Sequence, residues 1–84
     1  PMRPAAVVAA VVKGAEADVV VLAGGTESGL RPGQMLDVRR AAGAEPHARL
    51  LVARVGTHRS AALPVHIEAE SDLAPGDHAH ARIR

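Results

Sequence analysis

The chain of 84 residues contains no cysteine and no phenylalanine, tyrosine or tryptophan. The missing cysteine excludes disulfide bonds and thiolate metal sites. The missing aromatics argue against binding of single-stranded nucleic acid by base stacking, and against a sugar or drug-sized pocket, because both usually rely on aromatic rings. Several common kinds of binding site therefore lack their main residue types here.

Long apolar runs and a strong charge of one sign are also missing. The longest apolar runs, residues 5–12 and 19–23, are far shorter than the roughly 20 residues that span a bilayer. Ten Lys and Arg are interspersed with nine Asp and Glu, so the formal net charge of +1 provides no field for attracting polyanions. No signal peptide is visible. Pro1 and Met2 are interpreted as a protease-site remnant before a start methionine, so the chain is expected to be one domain of a longer protein.

What the sequence does contain is aliphatic: 11 Val, 7 Leu, 2 Ile and 2 Met. Each such side chain contributes roughly 1.5–3 kcal/mol when it is fully buried. Ordering each residue costs about 1.5 kcal/mol of chain entropy, so the two sums are similar in size. Nearly every aliphatic side chain must then be buried, which favours a closed barrel or a packed dimer over an open sheet.

One stretch occurs twice, as residues 28–39 (SGLRPGQMLDVR) and residues 71–82 (SDLAPGDHAHAR), at an offset of 43. The matched residues are Ser28 and Ser71, Leu30 and Leu73, Pro32 and Pro75, Gly33 and Gly76, and Arg39 and Arg82. The same offset places Ala5 on Ala48, Ala10 on Ala53, Val12 on Val55 and Val20 on Leu63. Two copies are too few for a solenoid. They predict one closed domain built from two similar halves.

Valine-rich and alternating segments predict six strands, over residues 5–13, 18–23, 35–40, 48–55, 60–68 and 78–84. The predicted fold is all-β: a small six-stranded closed barrel of two pseudo-twofold-related β-β-turn-β halves. Residues 1–4 are expected to be a cloning remnant or a disordered start. The two halves span about residues 5–41 and 48–84 of a single domain, and the connector between them covers residues 41–46. Pro64 cannot donate to a sheet ladder, so its strand should lie at an edge or carry a bulge there.

The repeated turns are predicted to be structural. Pro32 and Pro75 fix φ at the start of each turn, and Gly33 and Gly76 accept a positive φ. Leu30 and Leu73 are expected to plug the barrel ends, and Asp77 completes the second turn. Three glycines upstream of the first turn, at positions 24, 25 and 29, are expected to loosen the chain.

The pattern of apolar strands and Gly-Leu-x-Pro-Gly turns resembles the C-terminal domain of the flagellar assembly T protein family and related bacterial envelope domains. The resemblance covers nearly the whole chain, through residues 19–22, 29–30, 32–33, 38–40, 51–55 and 75–77. It departs at Gln34, where relatives usually carry Asp. The Pro-Gly-Asp turn and the duplication also resemble two-repeat cradle-loop barrels, and adaptor proteins of tripartite efflux pumps use a similar Gly-Leu-x-Pro-Gly strand. These resemblances imply a non-catalytic barrel in an envelope-associated assembly, with a periplasmic or cell-envelope location.

Structural roles account for the reactive residues of the chain. His78 and His80, with Asp77 beside them, supply two imidazoles on one strand face, whereas a zinc site needs three or four protein ligands. A solvated strand face is the favoured interpretation, and no metal or other cofactor is predicted. Ser60, near His58, is explained by a turn. The acidic residues 68, 70 and 72 are explained by a solvated face. The glycines before Thr26 are explained by a flexible connection. No catalytic residue is predicted.

The one basic cluster comprises Arg39, Arg40, Arg82 and Arg84, which are candidate contacts with a partner. The repeat suggests that Arg39 and Arg82 lie near each other across the twofold.

From the complete structural plan and the lack of a reactive constellation, we expect a non-enzymatic structural or protein-interaction module that presents a rigid surface or adds a strand at the edge near Pro64. Its partners would be proteins or other domains of the same chain, and it could also form a homo-oligomer. The alternatives are a nucleic-acid-binding barrel of translation-factor or cradle-loop type, and an accessory domain of an enzyme.

Overall fold

A computed structural model describes residues 4–41, 43–68 and 72–82. Six antiparallel strands close into a barrel in the order β1-β2-β5-β4-β3-β6, which confirms the predicted fold class. Among the described residues the helical structure is one 3-10 turn, Thr26–Ser28. The strands are β1 (Ala6–Val12), β2 (Val19–Ala23), β3 (Met35–Arg39), β4 (Pro46–Val55), β5 (Arg59–Ile67) and β6 (His78–Ala81).

Most strand boundaries lie within one residue of the prediction, and two differ by more. β4 begins at Pro46, two residues earlier than expected, because Pro46 pairs with the last residue of β3, Arg39. β6 ends at Ala81, opposite Leu36 of β3. The end of the predicted sixth strand, residues 83 and 84, lies outside the described residues.

The interior is filled by aliphatic side chains that alternate along each strand, as expected for a sheet with one buried face. Large side chains come mainly from β2, β3 and β4, and small ones from β5 and β6, so that facing strands fill the narrow interior together. The buried apolar residues are Ala6, Val8, Val20, Leu22, Leu30, Leu36, Val38, Ala48, Leu50, Val52, Ala62 and Ala79.

Each Pro-Gly turn is bonded to a valine of a neighbouring strand. The N–H of Gly33 donates to the carbonyl of Val52 at 2.8 Å, and the N–H of Val52 donates to the carbonyl of Gln34 at 2.9 Å. In the other half, Gly76, Val8 and Asp77 make the same pair of bonds, both at 2.8 Å. Both glycines have positive φ, 86° and 96°, as the sequence predicts. These bonds attach β3 to β4 and β6 to β1.

The single offset of 43 holds for the turns and for the strands that follow them, β3 and β6, but fails for the other four strands. The matching bonds make Val8 the counterpart of Val52, which lies 44 residues later. Val8 pairs with Leu22 and Val52 pairs with Ala62, so β2 and β5 correspond at an offset of 40. The first hairpin is therefore four residues longer than the second, and the segment leading to the turn is three residues shorter. An alignment without gaps misplaces these strands.

The strand order reads the same when β1, β2 and β3 are exchanged with β4, β5 and β6, as the predicted twofold requires. Corresponding bulges follow Val8 and Val52, with Ala9 and Ala53 as the extra residues. The pseudo-twofold relation itself stays a prediction.

Two of the three glycines before the first turn, Gly24 and Gly25, do not loosen the chain, contrary to the prediction. Gly24 and Gly25 are buried. A Cβ on Gly25 would lie 2.0 Å from the carbonyl oxygen of Gly56, so the β4–β5 turn packs directly on this backbone. Thr26 also donates its N–H to that oxygen at 2.9 Å. The glycines allow two backbone segments to touch.

Of the edge or bulge predicted at Pro64, the structure shows the bulge. Leu50 pairs with Pro64 and Arg49 pairs with His66, so Val65 is an extra residue on β5. The pairing of β5 with β2 ends at Ala62, which leaves the last part of β5 bonded on one side to β4.

Leu30→Ala is expected to lower the free energy of unfolding by about 2–5 kcal/mol, because a buried leucine leaves a cavity when it is truncated. Leu73 is only partly buried against the core. Leu73→Ala should therefore cost less than Leu30→Ala, which corrects the equal plug role predicted from the sequence. Urea unfolding followed by far-ultraviolet circular dichroism measures both. A loss at Leu30 no larger than that of Leu63→Ala, an exposed control, would contradict the assignment.

Candidate functional site

The most deeply buried charged group among the described residues is the carboxylate of Asp77, which is 1% exposed. Its Oδ2 accepts the N–H of Ala74 at 3.1 Å and lies 3.2 Å from Nε2 of His47. Its Oδ1 lies 3.2 Å from a guanidinium nitrogen of Arg40. His47 reaches this carboxylate because it is the extra residue of a bulge in β4, opposite the end of β3. Asp77, His47 and Arg40 thus join the second turn to β3 and β4.

Gln34 performs part of the same task in the first half. Its Oε1 accepts the N–H of Arg31 at 3.2 Å, as Asp77 does for Ala74. The departure from the resembled family at this position therefore keeps the turn's side-chain acceptor. What Gln34 lacks is a charge for ion pairing.

The histidines of β6 are half-buried rather than fully solvated, which corrects the predicted solvated face. The ring centroids of His78 and His80 are 6.2 Å apart. Burial lowers the pKa of His80 below its ordinary value, and the charges of Arg39 and His78 lower it further. Within the described residues, no group of three or more His, Cys, Asp or Glu side chains is arranged to hold a metal ion.

The structure does not bring the candidate arginines together. Arg39 is half-buried and donates to the carbonyl of Ala44 in the connector. Arg40 donates to the carbonyl of Asp72 at 2.7 Å, besides its contact with Asp77. Arg82 lies at the opposite end of β3, where its N–H donates to the carbonyl of Met35, so it is not beside Arg39 as suggested. Arg84 lies outside the described residues.

The remaining reactive residues have structural partners. The hydroxyl of Ser60 is buried and donates to the carbonyl of Gly24 at 2.8 Å. His58 is exposed, with Nδ1 2.7 Å from Glu27. Glu68 lies 2.7 Å from His66, and Glu70 lies outside the described residues. These contacts provide no oriented nucleophile and base.

One feature that the sequence reasoning missed is a row of aliphatic side chains across the outside of the barrel. Val12 pairs with Val19, Leu63 pairs with Leu51, and Leu51 pairs with Met35. Val19 and Leu63 follow the Val20–Ala62 pair in register. Their strand neighbours point inward, so these side chains point outward. We call this row the outer apolar belt; it consists of Val12, Val19, Leu63, Leu51 and Met35.

The outer apolar belt is exposed at two of its members, Val12 (53%) and Leu63 (38%). Val65, the bulge residue of β5, is 49% exposed nearby. A shallow depression adjoins the belt at the β4–β5 hairpin, with Val21 and Ala61 among its lining residues. The predicted strands contained these residues, but only the register between strands shows that they form one surface.

Comparisons with protein-family models, curated proteins and solved structures find no match to this chain. Within the part of the chain that the structure describes, no helix is long and apolar enough to cross a membrane.

Asp77→Ala is expected to lower the free energy of unfolding by about 1.5–3 kcal/mol, as loss of charged hydrogen bonds does. The matched control, Gln34→Ala, removes the corresponding neutral acceptor and should cost only about 0.5–1.5 kcal/mol. Urea unfolding of both variants measures the difference. Equal losses would show that the contacts with His47 and Arg40 add nothing.

The stability of the protein is expected to depend on the protonation of His80. Because folding lowers its pKa, the unfolded chain binds more protons as the pH falls below the ordinary value of 6.5. Stability should therefore be retained above that pH and fall as the pH drops through it. His80→Gln should flatten the dependence of the urea midpoint on pH. Equal flattening by His66→Gln, which removes an exposed imidazole, would contradict the assignment to His80.

Proposed function

We propose that this protein is a non-enzymatic interaction module that docks a protein partner on the outer apolar belt. The observation that supports the proposal is the continuity of the belt over five neighbouring strands, with Val12 and Leu63 exposed. Contiguous exposed apolar patches are uncommon on soluble monomers and often mark interaction sites. The small, bulged barrel would present these side chains rigidly.

Docking on the side chains of the belt is favoured over strand addition, the other mechanism expected from the sequence. The end of β5 beyond Ala62 does have an edge that is not paired with β2. However, Pro64 has no N–H to donate, and the adjacent bulge at Val65 interrupts a regular ladder. Both features protect a strand edge from pairing.

The wider setting of the module rests on the resemblance to envelope domains alone. A bacterial envelope or cell-surface assembly protein is the proposed context. The proposal that the module is not an enzyme is supported by the contacts of the reactive side chains, since Ser60 and Asp77 are both engaged in holding the fold together.

The test is selection of peptides from a random display library on the immobilised protein, followed by affinity measurement on variants. Leu63→Ser should weaken the selected peptides by about tenfold or more, because an apolar contact of this size contributes at least roughly 1.5 kcal/mol. Ile67→Ser is the matched control, since Ile67 is 40% exposed but lies outside the belt. Equal affinities of wild type and Leu63→Ser would contradict the proposal.

A further inference from the structure

The two strands that carry the centre of the outer apolar belt, β4 and β5, contain no acidic residue. They carry three arginines on their exposed or half-buried positions: Arg49, Arg54 and Arg59. The nine acidic residues of the chain all lie elsewhere. The wall of the barrel formed by β4 and β5 therefore carries a net positive charge, whereas the chain as a whole is nearly neutral.

These arginines flank the belt on both sides. Along β4, Arg49 and Arg54 lie on either side of Leu51, and a bulge at Ala53 keeps Arg54 opposite Ala61. Arg54 and Arg59 also line the depression at the β4–β5 hairpin. On the side of the belt away from this hairpin, Arg49 pairs with His66 of β5. The arrangement is an apolar strip with a cationic border, similar to the apolar centre and polar rim of a protein interface.

The acidic groups nearest to this wall only partly offset its charge. Asp37, on β3, lies 3.6 Å from Arg49 and 3.8 Å from Arg82, so one carboxylate is shared by two arginines. Glu68 pairs with His66. The structure records no ion pair for Arg54 or Arg59 among the described residues.

Resting on the function proposed above, we infer that the partner is an acidic protein segment, with carboxylates placed on either side of an apolar anchor. The anchor would contact Leu51 and Leu63, and the carboxylates would face Arg49 on one side and Arg54 and Arg59 on the other. A second copy of this chain is disfavoured on the same wall, because symmetric pairing would bring these arginines together.

A nucleic acid, the alternative expected from the sequence, fits this wall less well. Leucines occupy its centre, and the chain has no aromatic ring on which a base could stack. Binding of a phosphate backbone usually uses many basic contacts. Here the arginines are separated by an apolar strip, which suits an amphipathic protein segment better.

The experiment uses the peptides selected from the random display library and measures their sequences and affinities. Selected peptides should contain Asp or Glu next to apolar residues, and their affinity should fall with added salt. The double variant Arg49→Gln, Arg54→Gln should weaken them by about three- to tenfold, as loss of exposed ion pairs does. The matched variant Arg49→Lys, Arg54→Lys keeps both charges and should stay within about threefold of wild type. Circular dichroism confirms that each variant is folded.

The outcomes separate this inference from the proposed function. Peptides that depend on Leu63 but carry no acidic excess, or that bind the glutamine variant as tightly as wild type, would overturn the acidic partner and leave docking on the belt standing. Peptides that depend on the arginines but not on Leu63 would overturn docking on the belt and leave the acidic partner standing. Tighter binding of a short DNA duplex than of any selected peptide, measured by fluorescence polarisation, would overturn the acidic protein partner in favour of nucleic acid.

Discussion

The structure depends on the hydrogen bonds between each Pro-Gly turn and the valine beside it. The barrel closes through six strand pairs, and the seam between β6 and β1 is the shortest, with only two residue pairs within its strands. The bonds of Val8 with Gly76 and Asp77 extend that seam. Because closure removes most unpaired strand edges, the turns have a larger effect on the fold than their short length suggests.

Closure also explains how a chain without aromatic residues forms a core. In a narrow barrel each inward position faces several others, so a large side chain on one strand must meet a small one on another. Leu22 and Leu36 are the large buried side chains of β2 and β3, whereas β5 and β6 contribute the small buried side chains of Ala62 and Ala79. The two halves therefore fill the interior with complementary volumes rather than identical ones.

The strands, both turns and the bulge near Pro64 could be predicted from the sequence, because they rest on local preferences of valine, proline and glycine. The correspondence of β1 with β4 could not, since a first hairpin four residues longer and a following segment three residues shorter nearly cancel over the whole repeat. The contacts of Asp77 were also missed, because His47 depends on a bulge that no local pattern indicates. The outer apolar belt is likewise a property of pairing, as Val12 and Met35 are on different strands far apart along the chain.

Because Gly25 contacts the β4–β5 turn, the two hairpins differ in how much change in the length and path of their connections they tolerate. That turn lies against buried backbone, so its length and path are constrained. The connection between β1 and β2, residues 13–18, is longer and mostly exposed, and the structure shows an ion pair across it between Lys13 and Asp18 at 3.1 Å. Exposed connections of this kind accept inserted sequence or new chain ends. Grafting of a foreign epitope, or circular permutation, should therefore begin at the first hairpin.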